Sequence, residues 1–219
     1  MMLNNKQMEA VNHKEGPCLV LAGAGSGKTR VLTERIIKLI DDGVSPYNIL
    51  AITFTNKAAK EMRERVEAKI DTIADSIFIG TFHSFGLRIL RENYSDIGYT
   101  SNITILDTDD TKALIKRILK ENSYDPANYD IKHIISRISS AKNDGLSPLE
   151  YSKLFLRDED KVISFVYEKY IKLLKENNSV DFDDLLLKPV ELFKKRKDIL
   201  EKYQERFKYI LVDEYQDTN

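Results

Sequence analysis

Apolar residues recur with two different spacings along this chain. Short, nearly continuous apolar runs at residues 19–22, 49–54 and 77–81 predict strands that are buried on both faces. Between these runs, apolar residues recur at helical spacing over residues 31–40 and 58–66, and each of these segments follows a predicted strand. Strands that alternate with helices predict a parallel sheet with helices on its faces, so we expect an α/β fold.

After about residue 92 only the helical spacing remains. Apolar residues recur every three or four positions in three segments separated by Pro- or Gly-containing turn signals, at residues 113–119, 131–138 and 162–174. The strand pattern returns at residues 209–212. We therefore predict an α/β lobe formed by residues 1–92 and 196–219, with an all-helical subdomain of residues 93–195 inserted into it.

Composition limits the compartment and the partners. The 34 basic and 35 acidic residues give a net charge of -1. The overall charge therefore does not indicate a nucleic acid partner, and any site for a polyanion must be local. The single cysteine, Cys18, excludes an internal disulfide, and we expect it to pack as a small apolar residue beside the first strand. No signal peptide and no membrane-length apolar run is present, which favours a cytoplasmic protein.

A glycine-rich segment follows the first predicted strand. Gly23, Gly25 and Gly27 can adopt backbone angles that turn successive N–H groups toward a polyanion, and Lys28 and Thr29 then begin a helix. In such a loop the lysine reaches the β- and γ-phosphates and the threonine hydroxyl binds Mg²⁺, although this chain has Ala22 where the strict pattern has glycine. The segment predicts a nucleoside triphosphate site.

A second acidic element complements this loop at the far end of the sequence. The apolar run at residues 209–212 ends in Asp213 and Glu214, 185 and 186 positions after Lys28. At the end of a strand in a P-loop ATPase, the first carboxylate holds Mg²⁺ and the second orients or deprotonates the attacking water. A compact nucleotide-binding lobe needs far fewer residues between the two motifs, so the helical block fits as an insertion.

Polar residues also follow the second and third predicted strands, at residues 53–56 and 81–84. Ligands bind beyond the carboxyl ends of parallel strands, and this mixture of hydroxyl, amide and aromatic groups suits the phosphates and stacked bases of a nucleic acid single strand. We expect no metal at His83, because no Cys, His or carboxylate cluster surrounds it in the sequence. For residues 181–184, which contain three aspartates, we expect the acidic first turn of a helix rather than a calcium loop.

Five segments, taken in order, resemble the motifs of the UvrD/Rep/PcrA group of superfamily 1 DNA helicases, at residues 3–11, 22–30, 51–59, 80–84 and 212–219. The resemblance spans nearly the whole chain. It implies a RecA-like P-loop NTPase lobe, with the helical block as an accessory subdomain that meets duplex DNA. It also implies ATP-driven 3′ to 5′ translocation on single-stranded DNA, with single-stranded DNA and its junctions with duplex as partners, in DNA repair or replication.

The resemblance further implies roles for individual residues. The ATP contacts would be Gln7 at adenine, Arg30 beside the base, and Ala24, Gly25, Ser26, Gly27, Lys28 and Thr29 at the phosphates. Thr29 and Asp213 would hold Mg²⁺, and the catalytic residues would be Lys28, Asp213, Glu214 and Gln216, the last coupled to the γ-phosphate. The DNA track would include Thr53, Phe54, Thr55, Asn56, Thr81, His83 and Ser84.

Members of this group continue beyond the last of these motifs with a second motor lobe that supplies arginine fingers. We therefore expect the sequence to be the N-terminal part of a longer helicase, with weak or no ATP hydrolysis by itself. Two alternatives stay open: the motor of an AddA/RecB-like helicase-nuclease, and a non-catalytic, nucleotide-dependent binding module. A GTPase is disfavoured, because Asn56-Lys57-Ala58-Ala59 lacks the aspartate that reads guanine.

Overall fold

The computed structural model describes residues 3–23, 25–70 and 76–218. The chain divides into two compact units, one made of residues 1–85 and 196–219 and the other of residues 86–195. The first division lies inside a helix, Phe82–Glu92, rather than near residue 92, where the sequence pattern changes.

The first unit contains a three-stranded, fully parallel sheet. In chain order its elements are α1 (Asn5–Asn12), α2 (Lys28–Asp41), β1 (Ile49–Thr53), α3 (Asn56–Ile70), β2 (Phe78–Thr81), the start of α4 (Phe82–Glu92), α10 (Lys197–Arg206) and β5 (Tyr209–Val212). The strand order is β2-β1-β5, so β5, which is remote in sequence, pairs directly with β1. The predicted parallel sheet with helices is therefore confirmed.

Apolar side chains cover both faces of β1, all five residues of which are buried. Ile49 and Ala51 pack with residues of α2 and α3, among them Ile36 and Met62. Leu50 and Ile52 point to the opposite face and form an aromatic cluster with Phe207, Phe78, Phe82, Phe85 and Tyr203. Burial on both faces explains why the sequence of β1 is a continuous apolar run rather than an alternating one.

The predicted strand at residues 19–22 is wrong. Residues 17–23 form no strand, and Leu19 and Leu21 are 67% and 87% exposed. A strand needs a neighbour for its backbone hydrogen bonds, and none of the described strands pairs with this segment. The expectation for Cys18 is wrong for the same reason, since its side chain is exposed rather than packed beside a strand.

The second unit is mostly helical. After the remainder of α4 it contains β3 (Thr104–Ile105), α5 (Thr108–Glu121), α6 (Ile131–Asn143), α7 (Pro148–Leu154), α8 (Asp158–Glu176), β4 (Ser179–Val180) and α9 (Asp184–Lys195). The buried core joins α5, α6, α7 and α8 through residues such as Ile115, Ile134, Tyr151 and Val166. The three predicted helical segments are thus confirmed, whereas the block is not all-helical, because β3 and β4 form a short parallel pair.

A buried ionic cluster lies where α6 meets the start of α9. The Lys142 ammonium lies 2.6 Å from Asp181 Oδ1 and 2.9 Å from Asp184 Oδ1, and all three side chains are at most 10% exposed. The Tyr170 hydroxyl donates to Asp181 Oδ2 at 2.9 Å. Asp181 Oδ1 also accepts from the backbone N–H of Asp184 at 2.9 Å, so the acidic segment begins a helix, as predicted.

Candidate functional site

The glycine-rich segment forms a turn that leads directly into α2. Gly25 and Gly27 have φ angles of 72° and 86°, the left-handed region that favours glycine. The backbone N–H and the hydroxyl of Ser26 both donate to the Gly23 carbonyl, at 3.3 and 2.7 Å. Ala24, a predicted phosphate contact, lies outside the described residues. Lys28 and Thr29 occupy the first turn of α2, where the positive end of the helix dipole favours anions.

The carboxyl end of β5 faces this first turn. The Thr29 hydroxyl donates to Asp213 Oδ2 at 3.2 Å, and Lys28 Nζ lies 3.9 Å from Glu214 Oε1. The Gln216 side chain amide donates to Glu214 Oε2 at 2.6 Å. The first unit therefore brings two residues at the start of α2 together with three that follow β5, although the whole helical block separates the two groups in the sequence.

Glu214 holds a strained backbone conformation. Its φ and ψ angles are 51° and 49°, in the left-handed region that residues with a Cβ seldom adopt. Its carboxylate lies between Lys28 and the Gln216 amide, while its backbone N–H contacts Asp213 Oδ1 at 3.1 Å. Such strain is typical of functional positions, where the surrounding structure maintains it.

The oxygen atoms at this site fit Mg²⁺. Asp213 is 5% exposed and its carboxylate lies beside the Thr29 hydroxyl, which gives two hard oxygen ligands of the kind this cation prefers. Among the described residues, no group of three or more His, Cys, Asp or Glu side chains is arranged to hold a metal ion. Two protein ligands suit Mg²⁺ bound together with nucleotide phosphates and water, because this cation keeps several waters and rarely has an all-protein cage.

Gln7 and Arg30, the predicted base contacts, lie on α1 and α2. The Gln7 amide is next to the glycine-rich turn and donates to the Ser26 carbonyl at 2.9 Å. The guanidinium Nε of Arg30 is 3.9 Å from Glu34 Oε1, one helical turn along α2. Gln7 therefore contacts the same loop that contains the predicted phosphate ligands.

The predicted DNA residues lie together beyond the carboxyl ends of β1 and β2. Thr53 pairs in register with Thr81, and both of these side chains are buried. The hydroxyl oxygens of Thr55 and Thr81 accept from backbone N–H groups at the starts of α3 and α4, at 3.1 and 3.2 Å. These hydroxyls thus shape two adjacent helix starts.

Other predicted DNA residues are accessible to solvent, unlike Thr53 and Thr81. Phe54 is 45% exposed, Thr55, Asn56 and Ser84 are exposed, and His83 is half-buried. The Ser84 hydroxyl donates to the Thr81 carbonyl at 2.8 Å, while the Phe54 and Phe82 rings meet edge to face at 6.1 Å. An exposed aromatic ring beside two helix starts offers a stacking surface next to the positive ends of two helix dipoles.

Asn4 also belongs to this region, although it is not among the site residues predicted from the sequence. Asn4 precedes α1, and its side chain oxygen accepts from Gln7 N at 2.9 Å, while Gln7 Oε1 accepts from Asn4 N at 2.9 Å. This reciprocal capping box has a sequence signal, since a polar cap residue three positions before a glutamine is its usual pattern.

No helix among the described residues is long and apolar enough to cross a membrane.

Comparison of the sequence with known proteins identifies the family of the chain. The family described as UvrD/REP helicase N-terminal domain matches residues 3–219. The chain is 53% identical over 218 residues to the ATP-dependent DNA helicase PcrA of Bacillus subtilis. The matched region covers 99% of this chain and 30% of that protein. The chain is 49% identical to PcrA of Leuconostoc citreum and 47% identical to PcrA of Staphylococcus aureus, with 29% and 30% of those proteins covered.

The chain thus spans about 30% of the length of these curated relatives. The family match covers both compact units, and it includes the glycine-rich turn and the acidic end of β5. The chain belongs to the UvrD/REP helicase N-terminal domain family.

Proposed function

We propose that the chain is the ATP-binding N-terminal part of an ATP-dependent 3′ to 5′ DNA helicase that acts in DNA repair or replication. The observation that carries this proposal is the approach of Thr29 to Asp213 and of Lys28 to Glu214, which makes one site from the two ends of the sequence. In this proposal the first unit is a RecA-like lobe and the second is its inserted subdomain. The names of the PcrA relatives support ATP and DNA as the ligands.

The proposed ATP chemistry uses residues already in contact. Lys28 and the N–H groups at the start of α2 would bind the β- and γ-phosphates, and Thr29 and Asp213 would hold Mg²⁺. The cation would neutralise charge on the phosphate oxygens. Glu214 would take a proton from a water whose oxygen forms a bond to the γ-phosphorus, as the bond from that phosphorus to the bridging oxygen of ADP breaks.

Gln216 would position this carboxylate, because its amide already donates to Glu214 Oε2. When ATP enters, Lys28 would exchange its weak contact with Glu214 for phosphate oxygens, and the Glu214 carboxylate would become available to water. The 3.9 Å separation of Lys28 and Glu214 is long for an ion pair, so little free energy opposes this exchange.

The proposed DNA contacts lie beyond β1 and β2. Phe54 would stack on a base, and the side chains of Thr55, Asn56 and His83 would bind phosphates. Thr53, Thr81 and the Ser84 hydroxyl would act by shaping this surface, since the two threonines are buried and the serine is bonded to the backbone.

Strand separation by the full-length protein tests the proposal. We expect ATP-dependent unwinding of a duplex with a 3′ single-stranded tail, little unwinding with a 5′ tail, and none by Lys28→Ala. Lys202→Ala, an exposed lysine of α10, is the matched control and should unwind normally. Unwinding that prefers the 5′ tail, or that survives Lys28→Ala, would contradict it.

The same assay separates the alternatives. Degradation of the DNA by the full-length protein in the presence of Mg²⁺ would favour the helicase-nuclease. Nucleotide-dependent DNA binding without any ATP turnover would favour the non-catalytic module. For the 219-residue chain alone we expect ATP binding with turnover at least about a thousandfold below that of the full-length protein, because arginine fingers contribute roughly 10³ to 10⁵ in rate.

A further inference from the structure

The Gln7 side chain is hydrogen-bonded at both ends of its amide. Oε1 accepts from the backbone N–H of Asn4 at 2.9 Å, and Nε2 donates to the Ser26 carbonyl at 2.9 Å. A reversed amide would set its NH₂ group against the Asn4 N–H and its oxygen against the Ser26 oxygen. The two neighbours therefore fix which atom of the amide faces the loop.

Among the described residues of the loop that receives this bond, few hydrogen bonds form within the loop itself. Within it, the N–H and hydroxyl of Ser26 donate to the Gly23 carbonyl, and Gly25 and Gly27 have left-handed backbone angles. Glycine loses more conformational freedom on ordering than any other residue, so a loop of this composition is costly to hold in one shape. A hydrogen bond from outside the loop restricts its backbone before phosphate binds. Phosphate binding then costs less conformational entropy.

The element that provides this bond is itself anchored. The Arg35 guanidinium of α2 donates to the carbonyls of Ala10 and Val11 at 3.2 and 3.1 Å, at the C-terminal end of α1. The Gln7 amide also packs closely on the loop backbone, since a Cβ added at Gly27 would lie 3.1 Å from Gln7 Nε2. Gln7 thus connects a fixed helix to the turn between Gly25 and Gly27.

We infer that Gln7 orders the phosphate loop before any nucleotide binds, so that it strengthens the binding of the phosphates themselves and not only of the base. This inference rests on the proposed function, because it concerns the same ATP site. The bonds to Asn4 and Ser26 leave one lone pair on Oε1 and one hydrogen on Nε2, so an adenine contact does not require either bond to break. Asn4 acts as a positioning residue for the amide.

A ligand that has phosphates but no base separates the two roles. The experiment measures the affinity of the 219-residue chain for inorganic tripolyphosphate with Mg²⁺, and for ATP with Mg²⁺, by calorimetry. Gln7→Met keeps the length and helix propensity of the side chain and removes its hydrogen bonds. We expect its affinity for tripolyphosphate to fall about three- to tenfold, the effect of one lost neutral hydrogen bond, and its affinity for ATP to fall at least as much.

Gln204→Met is the matched control, because Gln204 is exposed on α10; both affinities should stay unchanged. Hydrogen exchange without nucleotide gives a second readout, in which the amides of Ser26 and Gly27 should exchange faster in Gln7→Met than in wild type. If Gln7→Met fails to fold, Gln7→Ala takes its place. This smaller side chain also lacks the amide, and the Asn4 side chain can still cap the Gln7 backbone N–H.

The outcomes distinguish this inference from the proposed function. Unchanged tripolyphosphate affinity in Gln7→Met, with weaker ATP binding, would make Gln7 a base contact alone and overturn the inference while the ATP site stands. Wild-type chain that binds neither ligand would overturn both. Loss of tripolyphosphate affinity in Gln7→Met but not in Gln204→Met supports the inference.

Discussion

At the scale of single residues, the buried side chain of Lys142 contributes to the stability of the second unit. Its charge is buried with two aspartates, and burial raises the pKa of Asp184 although Lys142 opposes this effect. Burial, and next to it the nearby Asp181, likewise raise the pKa of Tyr170, whose hydroxyl donates to Asp181. The cluster is stable only while each charge has its partner.

Lys142→Met therefore leaves the buried Asp181 carboxylate without its cation, and leaves Asp184 with only the longer ion pair to Lys188, at 3.7 Å. We expect the free energy of unfolding to fall by about 3–5 kcal/mol near neutral pH, measured by urea denaturation. Lys132→Met, an exposed lysine on the same helix, is the control and should change stability by less than about 0.5 kcal/mol. Equal stability of the two variants would contradict the account of this cluster.

The pH dependence of this deficit has a definite sign. Because the pKa of Asp184 is raised in the folded protein, the proton it binds there adds stability below the ordinary Asp pKa of about 3.9, and that stability is lost as pH rises through the raised value. Without Lys142, a proton on Asp184 removes one of the two neighbouring negative charges of Asp181 and Asp184. The deficit of Lys142→Met should accordingly shrink as pH falls.

The sequence alone predicts the acidic helix start of this cluster but not its lysine. The acidic segment at residues 181–184 was recognisable as a helix start, because aspartates in a first turn have a local cause. Lys142 was not recognisable as its partner, since it lies about 40 positions earlier and looks like any helical lysine. Pairing of remote charges is decided by tertiary packing and leaves no local pattern.

At the scale of elements, α4 and α9 approach each other through a glycine. A Cβ added at Gly86 would lie 1.8 Å from the Leu185 carbonyl oxygen, a backbone atom that cannot rotate away. The two helices would have to separate. The glycine therefore serves close packing, since Gly86 is not among the residues with positive φ.

Gly86→Ala tests this contact. Although alanine improves helix propensity by about 1 kcal/mol, we expect a net loss of about 1–2 kcal/mol in the free energy of unfolding, because overpacking outweighs that gain. Urea denaturation of the variant and the wild-type chain measures the difference. A variant as stable as wild type, or more stable, would show that the helices do not meet at this glycine.

Elements were predictable where their cause was local. The apolar stripe of α3 (Ala59, Met62 and Val66) and the continuous run of β1 both follow the periodicity of the sequence. Residues 19–22 are as uniformly apolar as residues 49–52 of β1, yet they form no strand and are exposed. Composition sets the tendency to form a strand, whereas a strand also needs a neighbour, and the sequence pattern does not say where that neighbour is.

At the scale of the whole molecule, the central feature is that both ends of the sequence enter one unit. β5 pairs with β1, and this pairing carries Asp213 and Glu214 to the first turn of α2. The sequence predicted this meeting from the chemistry that the two motifs share. It did not predict the contacts of Gln7 with Asn4 and Ser26, because those depend on the position of α1 against the loop.

Calorimetric binding of ATP to the 219-residue chain, with and without Mg²⁺, tests this central claim most directly. We predict Mg²⁺-dependent binding that falls about 10- to 100-fold in Lys28→Ala, the range for losing a hydrogen bond to a charged group. In Asp213→Asn the dependence on Mg²⁺ should weaken, and in Lys202→Ala binding should match wild type. ATP binding that is unchanged in Lys28→Ala, with the same Mg²⁺ dependence in Asp213→Asn as in wild type, would contradict the account.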